Sequence, residues 1–311
     1  MFTVTEVQTE RGKLEYRTEK LTGLKCRISP ERLKRRIDQP LALPNEISSC
    51  PFCPENIFKV TPVFSDGERI LCGESVTFPN MFPFASWHTV TVITRKHTVS
   101  AFTHKQIADA LHGQLESLNR AKGYSSINWN FLPSAGASII HPHLQGITDP
   151  RPSYITKRYI TASRNFFAKT KKNYWDAIKE EERSSERYLF GDEIVWCAHA
   201  VPLGEREVRG ILPISRLDEL DNYIDPLTEG ILSVIGLYNK LGTSAFNMAI
   251  FFGRDNTQNF SAFCSFISRI NPNPLSTSDT AFMERLHGEP VILTLPEELG
   301  KYYRNGSSSS D

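Results

Sequence analysis

The chain lacks any apolar run approaching the roughly 20 residues that a membrane-spanning helix needs. Its first residues, Met1-Phe2-Thr3-Val4-Thr5-Glu6, carry neither the basic start nor the apolar stretch of a secretory signal, so cytoplasm is the expected compartment. An excess of one charge is missing too. With a formal net charge of +1 there is no global field to draw nucleic acid or an anionic membrane, and neither is expected as a partner. Cysteine is scarce: Cys26, Cys50, Cys53, Cys72, Cys197 and Cys264 are too few and too scattered for a disulfide scaffold. The rest of the composition is ordinary. A chain of 311 residues that is 40% hydrophobic and 23% charged can bury a sizeable core, as one large domain or two smaller ones.

The most informative stretch is His141-Pro142-His143-Leu144-Gln145, introduced by the small residues Ser134-Ala135-Gly136-Ala137-Ser138. In an extended segment, side chains at i and i+2 share a face, so His141, His143 and Gln145 project together. Pro142 fixes its own φ and removes a donor, which favours a strand end. Neighbouring imidazoles suit metal binding, nucleophilic attack, or one of each. Taken alone, His-x-His is more often a pair of polar residues in a surface loop. A second feature shifts the balance towards a site. Ser49-Cys50-Pro51-Phe52-Cys53-Pro54 has the knuckle spacing that directs two thiolates at one ion, although a redox dithiol or chance gives the same pattern. Zinc needs two more ligands. No second cysteine pair exists, so histidines would have to supply them, and His97 and His141 are the best placed. His88, His104 and His112 are expected to be surface or structural residues.

Along the chain, two halves follow a similar scheme. Residues 14–29 read as strand, turn, strand, followed by the basic run Arg32-Leu33-Lys34-Arg35-Arg36, a solvated helix end or an anion site. An aromatic, proline-punctuated loop at 77–84 precedes a strand at 88–94. Helical periodicity over 104–122 places Ile107, Ala110, Leu111, Leu115 and Leu118 on one face, and 127–132 is strand-like. A long amphipathic helix is expected around 163–182. Strands at 194–201 and 207–212, a mostly helical 217–241, and strands at 246–251 and 260–267 then repeat the scheme. Residues 305–311 have the composition of a disordered tail.

The motif Gly136-Ala137-Ser138, two residues, then His141-Pro142-His143-x-Gln145 resembles the active-site motif of the galactose-1-phosphate uridylyltransferase branch of the histidine-triad superfamily. Leu21-Thr22-Gly23 with Ser29-Pro30-Glu31-Arg32-Leu33-Lys34-Arg35 is similar to that family's N-terminal signature. Cys50-x-x-Cys53 sits where its zinc cysteines sit, and Phe282-Met283 followed by Glu289-Pro290 falls where it has a Phe-Met segment. The resemblance covers nearly the whole chain and is most specific at the histidines. It implies an α+β fold of two fused histidine-triad-like units, each an antiparallel sheet with packed helices. The catalytic, zinc-binding unit would span 1–162, a helical linker 163–192, a second unit without the histidine motif 193–304, and the tail 305–311.

Carried over by position, the resemblance makes His143 the nucleophile that becomes nucleotidylated and Gln145 the partner of the transferred phosphoryl group. Cys50, Cys53, His97 and His141 would hold a structural zinc. Asn130, Gly136 and Ser138 match positions around the phosphate, Arg32 and Arg35 basic residues near it, and Asn80 with Phe82 the loop for base and ribose. A homodimer is implied. So are a nucleoside-diphosphate sugar or dinucleotide as donor and a phosphorylated acceptor.

The departures bear on the substrate. Leu144 stands where uridylyltransferases usually have Gly and is more like diadenosine tetraphosphate phosphorylases. Met81 replaces an acidic residue of the base loop. Ala281, Leu286 and His287 fall where hexose-phosphate contacts are expected, and Phe260-Ser261-Ala262-Phe263-Cys264-Ser265-Phe266 lacks the His-x-His of a second metal site. An apolar Leu144 and Met81 would favour adenine or a relaxed base choice, with poor use of galactose 1-phosphate. Three readings follow: a uridylyltransferase-type nucleotidyltransferase, a nucleotide phosphorylase using inorganic phosphate, and a zinc-stabilised nucleotide-binding protein without turnover.

Overall fold

The structure, a computed structural model, describes residues 1–9, 12–30, 50–255, 257–270, 280 and 283–307. β1 (Phe2–Thr9), β2 (Gly12–Glu19) and β3 (Lys25–Ile28) form an antiparallel meander, which a short late strand, β14 (Val291–Ile292), joins in parallel. After α1 (Pro54–Val60) come β4 (Ile70–Cys72), β5 (Ser75–Pro79), β6 (Trp87–Val92), α2 (His104–Leu118), β7 (Tyr124–Phe131) and β8 (His143–Asp149). Two helices, α3 (Tyr154–Thr170) and α4 (Tyr174–Arg183), lead into a second pass. It comprises β9 (Tyr188–Phe190), β10 (Val195–Ala198), β11 (Val208–Ile211), α5 (Ile224–Lys240), β12 (Phe246–Phe251) and β13 (Phe263–Ser268), and α6 (Pro296–Ser307) follows.

The large sheet runs β4-β5-β6-β8-β7-β12-β13-β11-β10-β9, antiparallel throughout. Each half supplies five strands in the same internal order, with a helix between its third and fourth. The expected α+β pair of antiparallel units is therefore present, fused edge to edge. β7 and β12 make the seam, with Asn130 opposite Asn247 and Ile127 opposite Ile250. The seam pairs the edge that each unit alone would leave open.

One face of the sheet holds the main core. α2 starts with a capping box, in which Thr103 Oγ1 accepts the Gln106 N–H and Gln106 Oε1 accepts the Thr103 N–H. The predicted stripe of Ile107, Ala110, Leu111, Leu115 and Leu118 is buried, as are Ile231 and Val234 of α5. These helices cover Ile127, Trp129, Leu144, Phe246 and Met248. Along β12, residues alternate between fully buried towards the helices and half-buried towards the opposite face, where Asn247 lies.

That opposite face is covered differently in its two halves. Over the first, Phe52 and Ile57 pack on Val76, Phe78, Val90 and Val92. Over the second, Tyr159, Tyr174 and Trp175 of α3 and α4 pack on Ile211 and Phe263. A buried polar network fills the remainder there: Arg209 Nη2 donates to Glu207 Oε1 at 2.9 Å, Ser265 Oγ to the same oxygen at 2.7 Å, and Tyr159 Oη to Glu19 Oε1 at 2.9 Å. Ser265 on β13 occupies the place that Gln145 holds on β8, so ion pairs and aromatic rings fill the second unit at the level of the site. The pattern is duplicated and the chemistry is not.

Two expectations shift. The single helix around 163–182 is two helices. Lys171 adopts a left-handed φ of 59°, and Asn173 then caps α4 by accepting the Trp175 N–H at 2.8 Å. Of the tail expected at 305–311, residues 305–307 are helical, within α6, and 308–311 lie outside the described residues.

Candidate active site and metal centre

The knuckle forms because Cys53 is the N-cap residue of α1 and Pro54 occupies the first turn, where a missing N–H costs nothing. The Cys53 N–H points back to Cys50 O, and Asn56 Nδ2 donates to Cys50 O at 2.9 Å, which closes the loop. His97 follows β6, and His141 precedes β8. Together Cys50, Cys53, His97 and His141 bring their ligand atoms within 4.8 Å of one another. Cys50 Sγ and Cys53 Sγ each lie 3.7 Å from His141 Nδ1, and Cys53 Sγ lies 3.4 Å from His97 Nδ1.

Tetrahedral zinc, with bonds of about 2.3 Å to sulfur and 2.0 Å to nitrogen, separates S and N by about 3.5 Å. The donor set and its spacing fit such an ion. The tautomer fits as well: His141 Nε2–H donates to Thr94 O at 2.7 Å, which leaves the Nδ1 lone pair facing the sulfurs. Burial, then the neighbouring Cys50, push the Cys53 thiol up to about 11, so two thiolates here need a cation beside them.

His143 opens β8 and is buried, 6% exposed. Its Nδ1–H donates to His141 O at 2.8 Å, which makes Nε2 the nitrogen with the free lone pair. Burial pushes its pKa below the ordinary value of 6.5, so the ring is neutral at physiological pH. Phe52, between the two cysteines, packs edge-on against it at 5.2 Å. The carbonyl that orients His143 thus belongs to a member of the four-residue cluster, and the cluster's own loop presses on the ring.

Gln145 shares that face, two residues along β8. Its Oε1 accepts from His88 Nε2–H at 2.9 Å, while its Nε2 has no partner among the described residues. His88 was expected to be surface or structural. It is 5% exposed, accepts the Phe84 N–H at Nδ1, and has Asn80 against its ring, so it links the 79–84 loop to Gln145. Only the cross-strand register of β6 on β8 reveals this. Phe82 and Phe84 are 80% and 75% exposed on that loop, large aromatic faces of the kind a base can stack on.

Asn130 on β7 is half-buried, and its Oδ1 accepts from Asn247 Nδ2 at 2.7 Å. Leu132 then takes a left-handed φ of 71°, a strain of about 1–3 kcal/mol for a non-glycine residue. The chain turns over Pro133–Ala135 to Gly136, whose φ of 84° suits glycine. Gly136 and Ser138 lie exposed on the loop into His141. Arg32, Arg35, Ala281 and Phe282 lie outside the described residues.

Leu144 does not face the substrate side of the sheet. Leu144 is 1% exposed and belongs to the helix-covered core, opposite Thr91 and Trp129 and on the other face from His143. A residue one step from the nucleophile on a strand must point away from it. Leu144 therefore says nothing about the base. Met81 and Leu286 are exposed, 57% and 82%.

No family model matches the chain. A protein of Archaeoglobus fulgidus described as uncharacterized is 28% identical over 313 residues, covering 96% of this chain and 93% of that protein. Among solved structures, an ADP-glucose phosphorylase from Arabidopsis thaliana with bound ADP-glucose superposes with a TM-score of 0.75 at 17% identity, over 94% of this chain and 98% of that one. The chain has the uridylyltransferase fold. A uridylyltransferase matches with a TM-score of 0.70 at 18% identity, over 95% of this chain and 99% of that one. A galactose-1-phosphate-uridylyltransferase-like protein from Arabidopsis thaliana gives 0.74 at 17%, over 93% and 98%. Coverage of nearly the whole of both partners means that the uridylyltransferase fold extends here through both units and their seam.

Proposed function

We propose that the protein transfers a nucleoside monophosphate through a covalent intermediate on His143 Nε2. The donor is a nucleoside-diphosphate sugar or a dinucleotide, and the acceptor is a sugar phosphate. The observation that carries this reading is a buried, neutral imidazole with Nδ1 tied to a backbone carbonyl, beside an amide whose oxygen is already occupied. The Nε2 lone pair attacks the α-phosphorus, and the bond to the leaving phosphate breaks. His141 O holds the proton on Nδ1 as the ring becomes cationic, and the Gln145 NH2 faces the transferred oxygens. In the return step an acceptor phosphate oxygen attacks phosphorus and the P–N bond breaks, regenerating neutral His143. Positioning and charge stabilisation suffice for such chemistry.

Cys50, Cys53, His97 and His141 are the residues to hold zinc, which when bound supplies structural bracing of the strand that carries His143. Asn80 and Phe82 serve base and ribose, Gly136 and Ser138 the phosphates, and Arg32 and Arg35 the charge around them. A homodimer is part of the same reading. A second reading, a phosphorylase with inorganic phosphate as acceptor, is favoured by the match to an ADP-glucose phosphorylase. Loss of turnover is disfavoured, since His143, Gln145 and Asn130 keep a poised set of groups that binding alone does not need.

Steady-state rates separate these readings. UDP-glucose with a panel of sugar phosphates, galactose 1-phosphate included, is set beside ADP-glucose or diadenosine tetraphosphate with inorganic phosphate. Parallel double-reciprocal lines are expected for the productive pair, because donor and acceptor meet the enzyme in turn. Intersecting lines, or no turnover with any pair, would count against the intermediate.

The pH dependence has a fixed sign. Protonated imidazole has no lone pair to attack with, and burial lowers the His143 pKa below 6.5. The rate of donor cleavage should therefore fall along an acid limb centred below pH 6.5 and be level well above it. An acid limb centred above pH 6.5 would contradict a neutral, desolvated nucleophile.

A further inference from the structure

The second unit lacks the histidine motif, yet one of its side chains reaches the site. Asn247 of β12 stands opposite Asn130 across the seam. Its Nδ2 donates to Asn130 Oδ1 at 2.7 Å and to Ala135 O at 2.8 Å, and its Oδ1 accepts from Arg269 Nη1 at 2.7 Å. Chemistry fixes the direction of each bond. A guanidinium only donates and a backbone carbonyl only accepts, so Asn247 must give its oxygen to Arg269 and its NH2 to Ala135 and Asn130. Asn130 must then turn its oxygen to Asn247. Its NH2 is left as the end without a partner among the described residues. Asn130 lies one step beyond the Trp129–Leu144 pair, level with His143 and on the same face of the sheet.

We propose that Asn247, set by Arg269, is a positioning residue that holds the Asn130 amide with its NH2 towards the transferred phosphoryl group. The proposal rests on the nucleotidyl-transfer reading. An amide rotated by half a turn has nearly the same shape, so packing alone does not select the donor end. A flipped Asn130 would present an oxygen to an anionic phosphoryl group. Asn247 prevents this, and its second bond, to Ala135, tethers the turn that leads to Gly136 and Ser138. His88 does the same for Gln145 by occupying its oxygen. The unit without the motif thus supplies orientation to the unit that has it.

Asn247→Asp tests this with little change of shape. The carboxylate can keep Arg269 but cannot donate to Asn130, which should then flip. Single-turnover labelling of His143 is measured beside donor affinity, with zinc content and circular dichroism as checks on the fold. Loss of one correctly placed donor to a developing anion costs about 10²-fold, and at least a tenfold fall in the labelling rate is expected, with affinity changed much less. In an Asn130→Ala background, Asn247→Asp should cost clearly less than it does alone, the remainder coming from the lost bond to Ala135, because residues acting as one unit are not additive. Arg269→Met, which leaves Asn247 in place, should lower the rate in the same direction and gives a second route if Asn247→Asp folds poorly. Wild-type rates in Asn247→Asp, or full additivity with Asn130→Ala, would overturn the positioning role while nucleotidyl transfer stood. A wild-type protein that never labels would overturn the transfer reading, and this proposal with it.

Discussion

His143→Ala is expected to abolish covalent labelling and to lower transfer by roughly 10⁴-fold or more, the scale on which loss of a nucleophile acts. The structure separates this effect from misfolding. His143 is not among the four clustered metal-type side chains, and among the described residues its one side-chain hydrogen bond runs to His141 O, a carbonyl of the same strand entry. What alanine removes from the fold is the edge contact with Phe52 and a buried ring, a loss of about 1–3 kcal/mol that a chain of this size can absorb. Zinc content should stay close to wild type, and the melting temperature should fall by about 2–10 °C. His143→Gly should regain measurable donor cleavage when free imidazole is added, since the missing ring is then supplied in the same pocket. Covalent label that persists on another residue of His143→Ala would remove the central assignment.

Removing the metal is the second large effect. A Cys50→Ser variant, or wild type treated with a strong chelator, should lose the one zinc per chain that Cys50, Cys53, His97 and His141 are expected to hold. Structural zinc is worth on the order of 10 kcal/mol in small domains that fold around it. Dependence should be weaker here, because Phe52 and Ile57 keep their own contacts with Val76, Phe78, Val90 and Val92. A loss of roughly 3 kcal/mol lowers the melting temperature of a large domain by about 5–10 °C. Activity should fall further than stability. His141 without its ion loses the restraint on the carbonyl that holds His143 Nδ1–H, and Phe52 moves with the loosened knuckle. Metal-free protein with full activity would show that the four residues brace nothing.

Much of the site is legible because its signals are local. His141, His143 and Gln145 are one strand's alternation, and the small residues before them are a turn whose Gly136 takes a positive φ. The Cys50 knuckle and the apolar stripe of α2 are also short-range patterns. What escaped reading depends on pairing between distant strands. His88 looks like the polar start of a strand until β6 is set beside β8, and Asn247 like an ordinary strand residue until β12 pairs with β7. Leu144 misleads for the opposite reason. Adjacency in sequence suggested a pocket wall, whereas strand geometry sends it into the core beside Trp129. The break between α3 and α4 turns on a single left-handed residue, Lys171, at a position where lysine gives no warning.

The most direct test is intact-mass measurement and peptide mapping of the wild-type protein after brief exposure to UDP-glucose or, separately, ADP-glucose, without acceptor. The expected result is one nucleoside monophosphate per chain, carried by His143, acid-labile as a phosphoramidate, and discharged when the correct phosphorylated acceptor is added. Turnover with donor and acceptor together but no label from either donor alone, or label on any residue other than His143, would contradict the account.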